Sequence, residues 1–256
     1  MISFVGAGSG APDLITIRGA NRLKEADIVV YAGSLVNPKL LQYTLPGCRT
    51  YNSAQMTLEQ IIDIMVQADQ AGEKVVRLHT GDPSLYGAIG EQMAKLDEYE
   101  IEYEVVPGVS SFLAAAAALP AEFTVPAGSQ TVILTRMEGR TPVLEKESIR
   151  SLAEHQASMA IFLSASMIKK LAEELIAGGY ADTTPVAIVY KASWPEEKII
   201  RTNIAHMEQA ASQEDISKTA QILVGDFLYP FQTRSKLYDP AFSHEYRAAK
   251  VNNRNG

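Results

Sequence analysis

ISFVGAGSGAPDLIT, residues Ile2 to Thr16, decides how the rest of the chain is read. A short apolar run enters a loop with glycine at 6, 8 and 10, and helix-forming sequence resumes only after Thr16. A strand that runs into a glycine-rich turn starts a βα unit, and at such a turn the backbone can approach a ligand closely. Gly6, Gly8 and Ala11 satisfy the permissive dinucleotide spacing G-x-G-x-x-G/A. The context does not. A dinucleotide loop passes directly into a helix whose N-terminus holds the pyrophosphate, whereas Pro12 and Asp13 lengthen this loop before Thr16 can cap a helix. The ribose-binding acid belongs at the end of the second strand, yet IVVY is followed by Ala32-Gly33-Ser34, and Asp27 precedes that strand. A tight turn that binds nothing remains the alternative for this loop taken alone.

The pattern continues outward as βαβ. Helices are expected over 16–26, from Asn37-Pro38, over 57–71 with a stop at Gly72, and in YGAIGEQMAKLDEY. Strands are expected in DIVVYAG, KVVRL and IEYEVV, and Ser110 to Leu119 reads as a small-residue helix packed on a sheet. Short connections between such elements imply a mostly parallel sheet. After Pro120 the composition turns to loop, with Pro126 and Gly128, which places a boundary there. The expectation is an α/β protein of two α/β domains, 1–119 and 120–256, the second ending in a polar tail from Ser243 to Gly256. Strand runs in the second half include neighbours with no helix between them, so its sheet reads as mixed.

Composition narrows the function. Hydrophobic residues at 46% with 21% charged give ample core, and no apolar run reaches the length of a membrane span. A net charge of −7 argues against non-specific nucleic-acid binding. One cysteine, Cys48, excludes an internal disulfide and fits a reducing compartment, and Met1 leads straight into strand, so cytoplasm is the expected setting. The four histidines lie far apart without a second ligand at metal-site spacing, and no protein-bound metal is expected.

Two more loops repeat the first. HTGDPSLYG (His79 to Gly87) and VPGVSS (Val106 to Ser111) each follow a strand and precede a helix. Asp82 is placed either to accept hydrogen bonds from a ribose or to cap the helix; Ser110 and Ser111 are placed likewise. Loops at the carboxyl ends of parallel strands share one rim, where ligands bind. No G-K-[ST] occurs, so a triphosphate is poorly provided for, and a ligand without phosphates held by backbone groups fits better.

VGAGSGAPDLITIRGANRLKEADIVVYAG, GDPSLYG and VPGVSS, in this order, resemble the tetrapyrrole (corrin/porphyrin) methyltransferases, which use S-adenosylmethionine. YAGSLVN, LPAEFTVP, SQTVILTRMEGRTPV and VYKASWPEEKIIR narrow the resemblance to the branch that methylates C-11 of precorrin-4 or cobalt-precorrin-4 in cobalamin biosynthesis. Methylation at another ring position of a precorrin or uroporphyrinogen is the sibling alternative, and a NAD-linked oxidoreductase the alternative of a different class. The resemblance implies a homodimer with the cofactor in a cleft between two domains, a tetrapyrrole substrate, and neither nucleic acid nor membrane as partner.

By position, the resemblance points to Gly8, Ser9, Gly10, Thr80, Gly81, Asp82 and Leu85 as cofactor contacts, with Ser110 and Ser111. Leu163, Ser164, Ala187 and Ala220 join them from the second half. Ser9 stands where the family pattern G-x-G-P-G has proline. The implied reaction is displacement of S-adenosylhomocysteine from a methyl carbon by a ring carbon, which needs no protein nucleophile. Asp82 and His79 are the candidates to manage a proton. Arg136, ahead of Arg140, Lys191 and Arg201, is the candidate to meet substrate carboxylates.

Overall fold

The computed structural model describes residues 1–126, 128–230 and 235–249. The chain divides into two units: Met1–Leu119 with Val189–Ile199 and Lys218–Gln221, and Pro120–Ile188 with Ile200–Ser217 and Ile222–Gly256. The tail from Ser243 is described only as far as 249; the rest of it lies outside the described residues. No helix among the described residues is long and apolar enough to cross a membrane.

The first unit is built on strands β1 (Ile2–Gly6), β2 (Ile28–Tyr31), β3 (Arg49–Asn52), β4 (Val75–His79) and β5 (Tyr103–Val106). Their order is β3-β2-β4-β1-β5, with every pairing parallel. Helices α1 (Ile17–Glu25), α2 (Leu58–Gln70), α3 (Ile89–Glu98) and α4 (Ser111–Ala118) connect or follow them. Alternation along the strands splits the core. Ile2 and Phe4 pack with Ile61, Met65 and Leu96 on one face, while Val5 and Ala7 pack with Leu23, Val36 and Leu40 on the other.

Local signals set the helix limits. Thr16 caps α1 by accepting from the Gly19 N–H at 3.1 Å. Thr57 and Gln60 form a reciprocal capping box on α2. That helix stops where Gly72 takes φ +71° and the Glu73 N–H reaches back to the Ala68 carbonyl. The structure corrects one reading of the sequence and adds one strand to it. α3 begins at Ile89, not near Tyr86, because Tyr86 and Ala88 hold left-handed φ of 57° and 50° and extend the loop after β4. β3 was hidden because RTYN is an edge strand with one apolar ring and mostly exposed side chains.

After Pro120 the chain forms β6 (Val132–Arg136), α5 (Ile149–Ala153), β7 (Ser158–Phe162), α6 (Ile168–Ala177), β8 (Pro185–Tyr190), β9 (Lys198–Asn203), α7 (Met207–Gln213) and β10 (Ala220–Val224), with the end of β8 and the starts of β9 and β10 belonging to the first unit. The strand order is β6-β7-β10-β8-β9. β6 and β7 are parallel and β7 and β10 antiparallel, so this sheet is mixed, as the sequence implies. β9 follows β8 with no helix between.

Candidate functional site

The direction of chain travel reverses between β1 and β4. From β1 the chain moves to β2 and β3 on one side; from β4 it crosses to β5 on the other. In open parallel sheets such a switch point opens a crevice at the carboxyl ends of the strands. The three glycine loops leave β4, β1 and β5, which lie side by side in the sheet, so they meet at that position.

They are joined by backbone. The Gly8 N–H donates to the Gly81 carbonyl at 3.2 Å, and the Gly81 N–H donates back to Gly8 at 2.8 Å. A Cβ at Gly6 would lie 2.6 Å from the Gly108 Cα and 2.7 Å from the Gly81 oxygen, so the three main chains pass with no room for a side chain. Asp82 ties the second loop to the third. One carboxylate oxygen accepts from the Gly108 N–H at 2.9 Å and the other from Ser84 at 2.8 Å.

Ser110 is buried at the N-cap of α4 without a side-chain capping bond. The Ser111 hydroxyl donates to Gln221 at 2.9 Å, beside Ala220 at the start of β10. Thr80 and Leu85 flank this cluster, and the Leu85 N–H donates to the Asp82 carbonyl. None of the three loops contains Lys or Arg.

His79 lies apart from these groups although it ends β4. Its register partner is Gly6, two pairs along from Phe4–Arg77, and its ring centroid is 6.1 Å from that of Phe4 in the core. Only 4% of the residue is exposed, and its Nε2 has no hydrogen-bond partner. Burial, with the Arg77 charge added, pushes its pKa down to about 3. The imidazole is therefore neutral at any working pH. Arg77 is buried too, donating to the Gln92 side chain at 3.0 Å and the Val30 carbonyl at 3.2 Å.

In the second unit, Ser164 is fully buried. Its hydroxyl accepts from the Met137 N–H at 2.9 Å and donates to the Phe162 carbonyl at 2.7 Å, joining the loops after β6 and β7. Leu163, one residue before, holds φ +53° with 64% of its surface exposed. A large apolar side chain presented to solvent from a strained backbone is a feature of ligand sites. Ala187 is buried in the middle of β8. The Arg136 guanidinium turns onto its own loop, donating to the carbonyls of Met137, Thr141 and Pro142 at 3.0 to 3.2 Å. Most of its donor capacity shapes 137–142. In the first unit, the Lys191 ammonium lies 3.6 Å from Glu196 and over the Tyr190 and Trp194 rings.

The dinucleotide alternative finds no support in this geometry. A 3₁₀ turn, Pro12–Leu14, separates the glycines from α1, and the Asp27 carboxylate accepts from the Lys74 N–H at the opposite end of β2. Among the described residues no group of three His, Cys, Asp or Glu side chains could hold a metal ion. The sequence reading missed Asn37 as a site residue. Beyond opening a helical turn, it is buried and donates to the Gly10 carbonyl at 2.8 Å.

A family profile described as Tetrapyrrole (Corrin/Porphyrin) Methylases matches residues 1–208. The chain is 57% identical over 247 residues to the cobalt-precorrin-4 C(11)-methyltransferase of Methanocaldococcus jannaschii, covering 96% of this chain and 95% of that one. It is 43% identical to the precorrin-4 C(11)-methyltransferase of Pseudomonas aeruginosa, covering 96% and 98%. A solved cobalt precorrin-4 methyltransferase aligns with TM-score 0.88 at 48% identity over 90% of this chain and 96% of its own. A uroporphyrin-III C-methyltransferase from Thermus thermophilus, complexed with S-adenosyl homocysteine, aligns with TM-score 0.73 at 25% identity over 89% and 92%.

Proposed function

The chain belongs to the tetrapyrrole (corrin/porphyrin) methylases, and on that premise we propose that it methylates C-11 of cobalt-precorrin-4 with S-adenosylmethionine, in cobalamin biosynthesis. The observation that carries the substrate is the 57% identity along 96% of the chain to an enzyme of that name, against 43% to one named for precorrin-4. The sulfonium supplies an already activated methyl group and leaves as S-adenosylhomocysteine.

The residues of the three loops fit such a ligand. They offer main-chain donors and acceptors, a buried serine hydroxyl and the Asp82 carboxylate, with no cation to meet a phosphate. A loop set bearing Asp13 and Asp82 and no basic side chain favours a ligand with positive charge. Main chains packed as closely as at Gly6 and Gly108 leave no room for a side chain, which favours a ligand positioned against a fixed backbone. Holding two reactants in line removes about 7–11 kcal/mol of barrier at most, which suits a site without an acid–base constellation. Within the second unit, Ser164 and Arg136 shape the loops that follow β6 and β7. The reading also carries a homodimer in the cytoplasm, which sedimentation of the purified protein would check for subunit number.

Incubation with enzymatically made cobalt-precorrin-4 and methyl-labelled cofactor is expected to place label at C-11. Absence of transfer to any precorrin intermediate would overturn the reading. Asp82→Ala removes the acceptor for two loop N–H groups. A charge-assisted bond contributes about 1.5–3 kcal/mol, so affinity for S-adenosylhomocysteine is expected to fall roughly tenfold or more. Calorimetric titration returning the wild-type affinity would remove Asp82 from the site.

A further inference from the structure

Besides the loop's bonds to Gly81 and Asn37, Ser9–Ala11 is held by residues 182 to 185 positions away. The Trp194 Nε1 donates to the Ser9 carbonyl at 3.0 Å. The Ser193 hydroxyl accepts from the Ala11 N–H at 3.0 Å and shares a hydrogen bond with the Ser9 hydroxyl at 2.8 Å. The Trp194 ring lies flush on Gly10: a Cβ there would collide with Cδ1 and Nε1 and lie 2.9 Å from Cε2. Gly10 itself has φ +157°, and Gly8 has φ +76°.

The segment doing the holding is itself strained and braced. Lys191 and Ser193 both hold left-handed φ, 47° and 69°, which non-glycine residues adopt only under constraint. The Lys191 N–H donates to Thr219, the Ser193 N–H to the Glu197 carboxylate at 2.6 Å, and the Trp194 N–H back to Lys191. The Lys191 ammonium sits 5.4 Å from the indole centroid. Strain kept in place by this many bonds, for the sake of contacts to one glycine loop, points to that loop as what must not move.

The first loop also lacks the proline that the related pattern places at residue 9. Proline would fix φ there covalently. Ser9 instead shares a hydroxyl hydrogen bond with Ser193, and its carbonyl accepts from the Trp194 Nε1. We propose that Ser193 and Trp194 are positioning residues for methyl transfer, a latch that holds Ser9–Ala11 rigid at the cofactor loop in place of the missing proline. The inference rests on the cofactor reading above.

The test uses full-length protein with S-adenosylmethionine and cobalt-precorrin-4. Ser193→Ala, which loses two hydrogen bonds to the loop, and Trp194→Phe, which loses one, are each expected to raise the cofactor KM roughly three- to tenfold. The KM for the tetrapyrrole should stay within about twofold, as a latch acting on the cofactor loop alone requires. Ser9→Ala alone should give a smaller rise, and Ser9→Ala with Ser193→Ala no more than Ser193→Ala alone, because the two hydroxyls act through each other. Ser9→Ala changes only a partly exposed hydroxyl and keeps the test open if Trp194→Phe folds poorly. A fall in Tm with both KM values unchanged would make the contacts structural only and overturn the proposal, as would simple additivity of the two serine variants. Failure of wild-type protein to bind S-adenosylhomocysteine would instead defeat the cofactor reading on which it stands.

Discussion

Gly108→Ala is expected to slow methyl transfer on the order of 10²-fold while Gly90→Ala leaves it intact. The added Cβ at 108 would overlap the Gly81 carbonyl oxygen and sit 2.7 Å from the Gly6 Cα. Both are main-chain atoms of the neighbouring loops, so no rotamer relieves the collision. The third loop must move away from the first two, and the Asp82–Gly108 bond of 2.9 Å then breaks. Overpacking of this kind costs about 1–3 kcal/mol of stability. A displacement of about 1 Å at a site that works by alignment costs on the order of 10²-fold in rate. Gly90, near the start of α3, has open space where its Cβ would be and no unusual φ. Alanine there should stabilise by about 0.5–1 kcal/mol through helix propensity. Denaturant unfolding and a single-turnover assay on both variants check the pair. Near-normal turnover by Gly108→Ala would mean that the meeting of the loops has no part in the chemistry.

These glycines also show where the sequence was informative. GAGSGA, GDP and VPG are local turn signals, and their place after apolar runs was enough to put them at one rim. That Gly6 and Gly108 touch is a property of strand order, with β5 beside β1, which no local pattern encodes. Trp194, the chain's single tryptophan, was legible only as part of VYKASWPEEKIIR, because its partner Ser9 is 185 residues distant. Arg136 was placed correctly at the end of an apolar strand. Its orientation depended on carbonyls of the following loop that only the fold supplies. β4 reads VVRLH and is buried on both faces, so it lacks the alternation that would have shown which way His79 turns.

That inward turn of His79 gives the second large effect, an acid-sensitive stability unrelated to catalysis. In the unfolded chain a histidine titrates near 6.5; in the native core, desolvation first and the adjacent Arg77 charge second hold it at about 3. Between those values the unfolded chain takes up a proton that the native site refuses. Stability contributed by the neutral ring is therefore complete above about 6.5 and is lost as pH falls toward 3. At 1.36 kcal/mol per unit this amounts to about 2 kcal/mol at pH 5 and about 5 kcal/mol over the whole window. His79→Leu keeps an apolar side chain beside Phe4 and removes the unpaired Nε2. Leaving such an atom buried costs about 1–3 kcal/mol, so the variant should be at least as stable as wild type at pH 7.5. Its urea midpoint should then fall less steeply from pH 7.5 to 5, whatever the offset between the proteins. Methyl transfer by the variant at neutral pH should stay within roughly threefold of wild type, because a ring that remains neutral inside the core donates no proton to a substrate. Parallel pH profiles would assign the acid sensitivity to another group, and a loss of turnover beyond tenfold at unchanged stability would return His79 to the reaction.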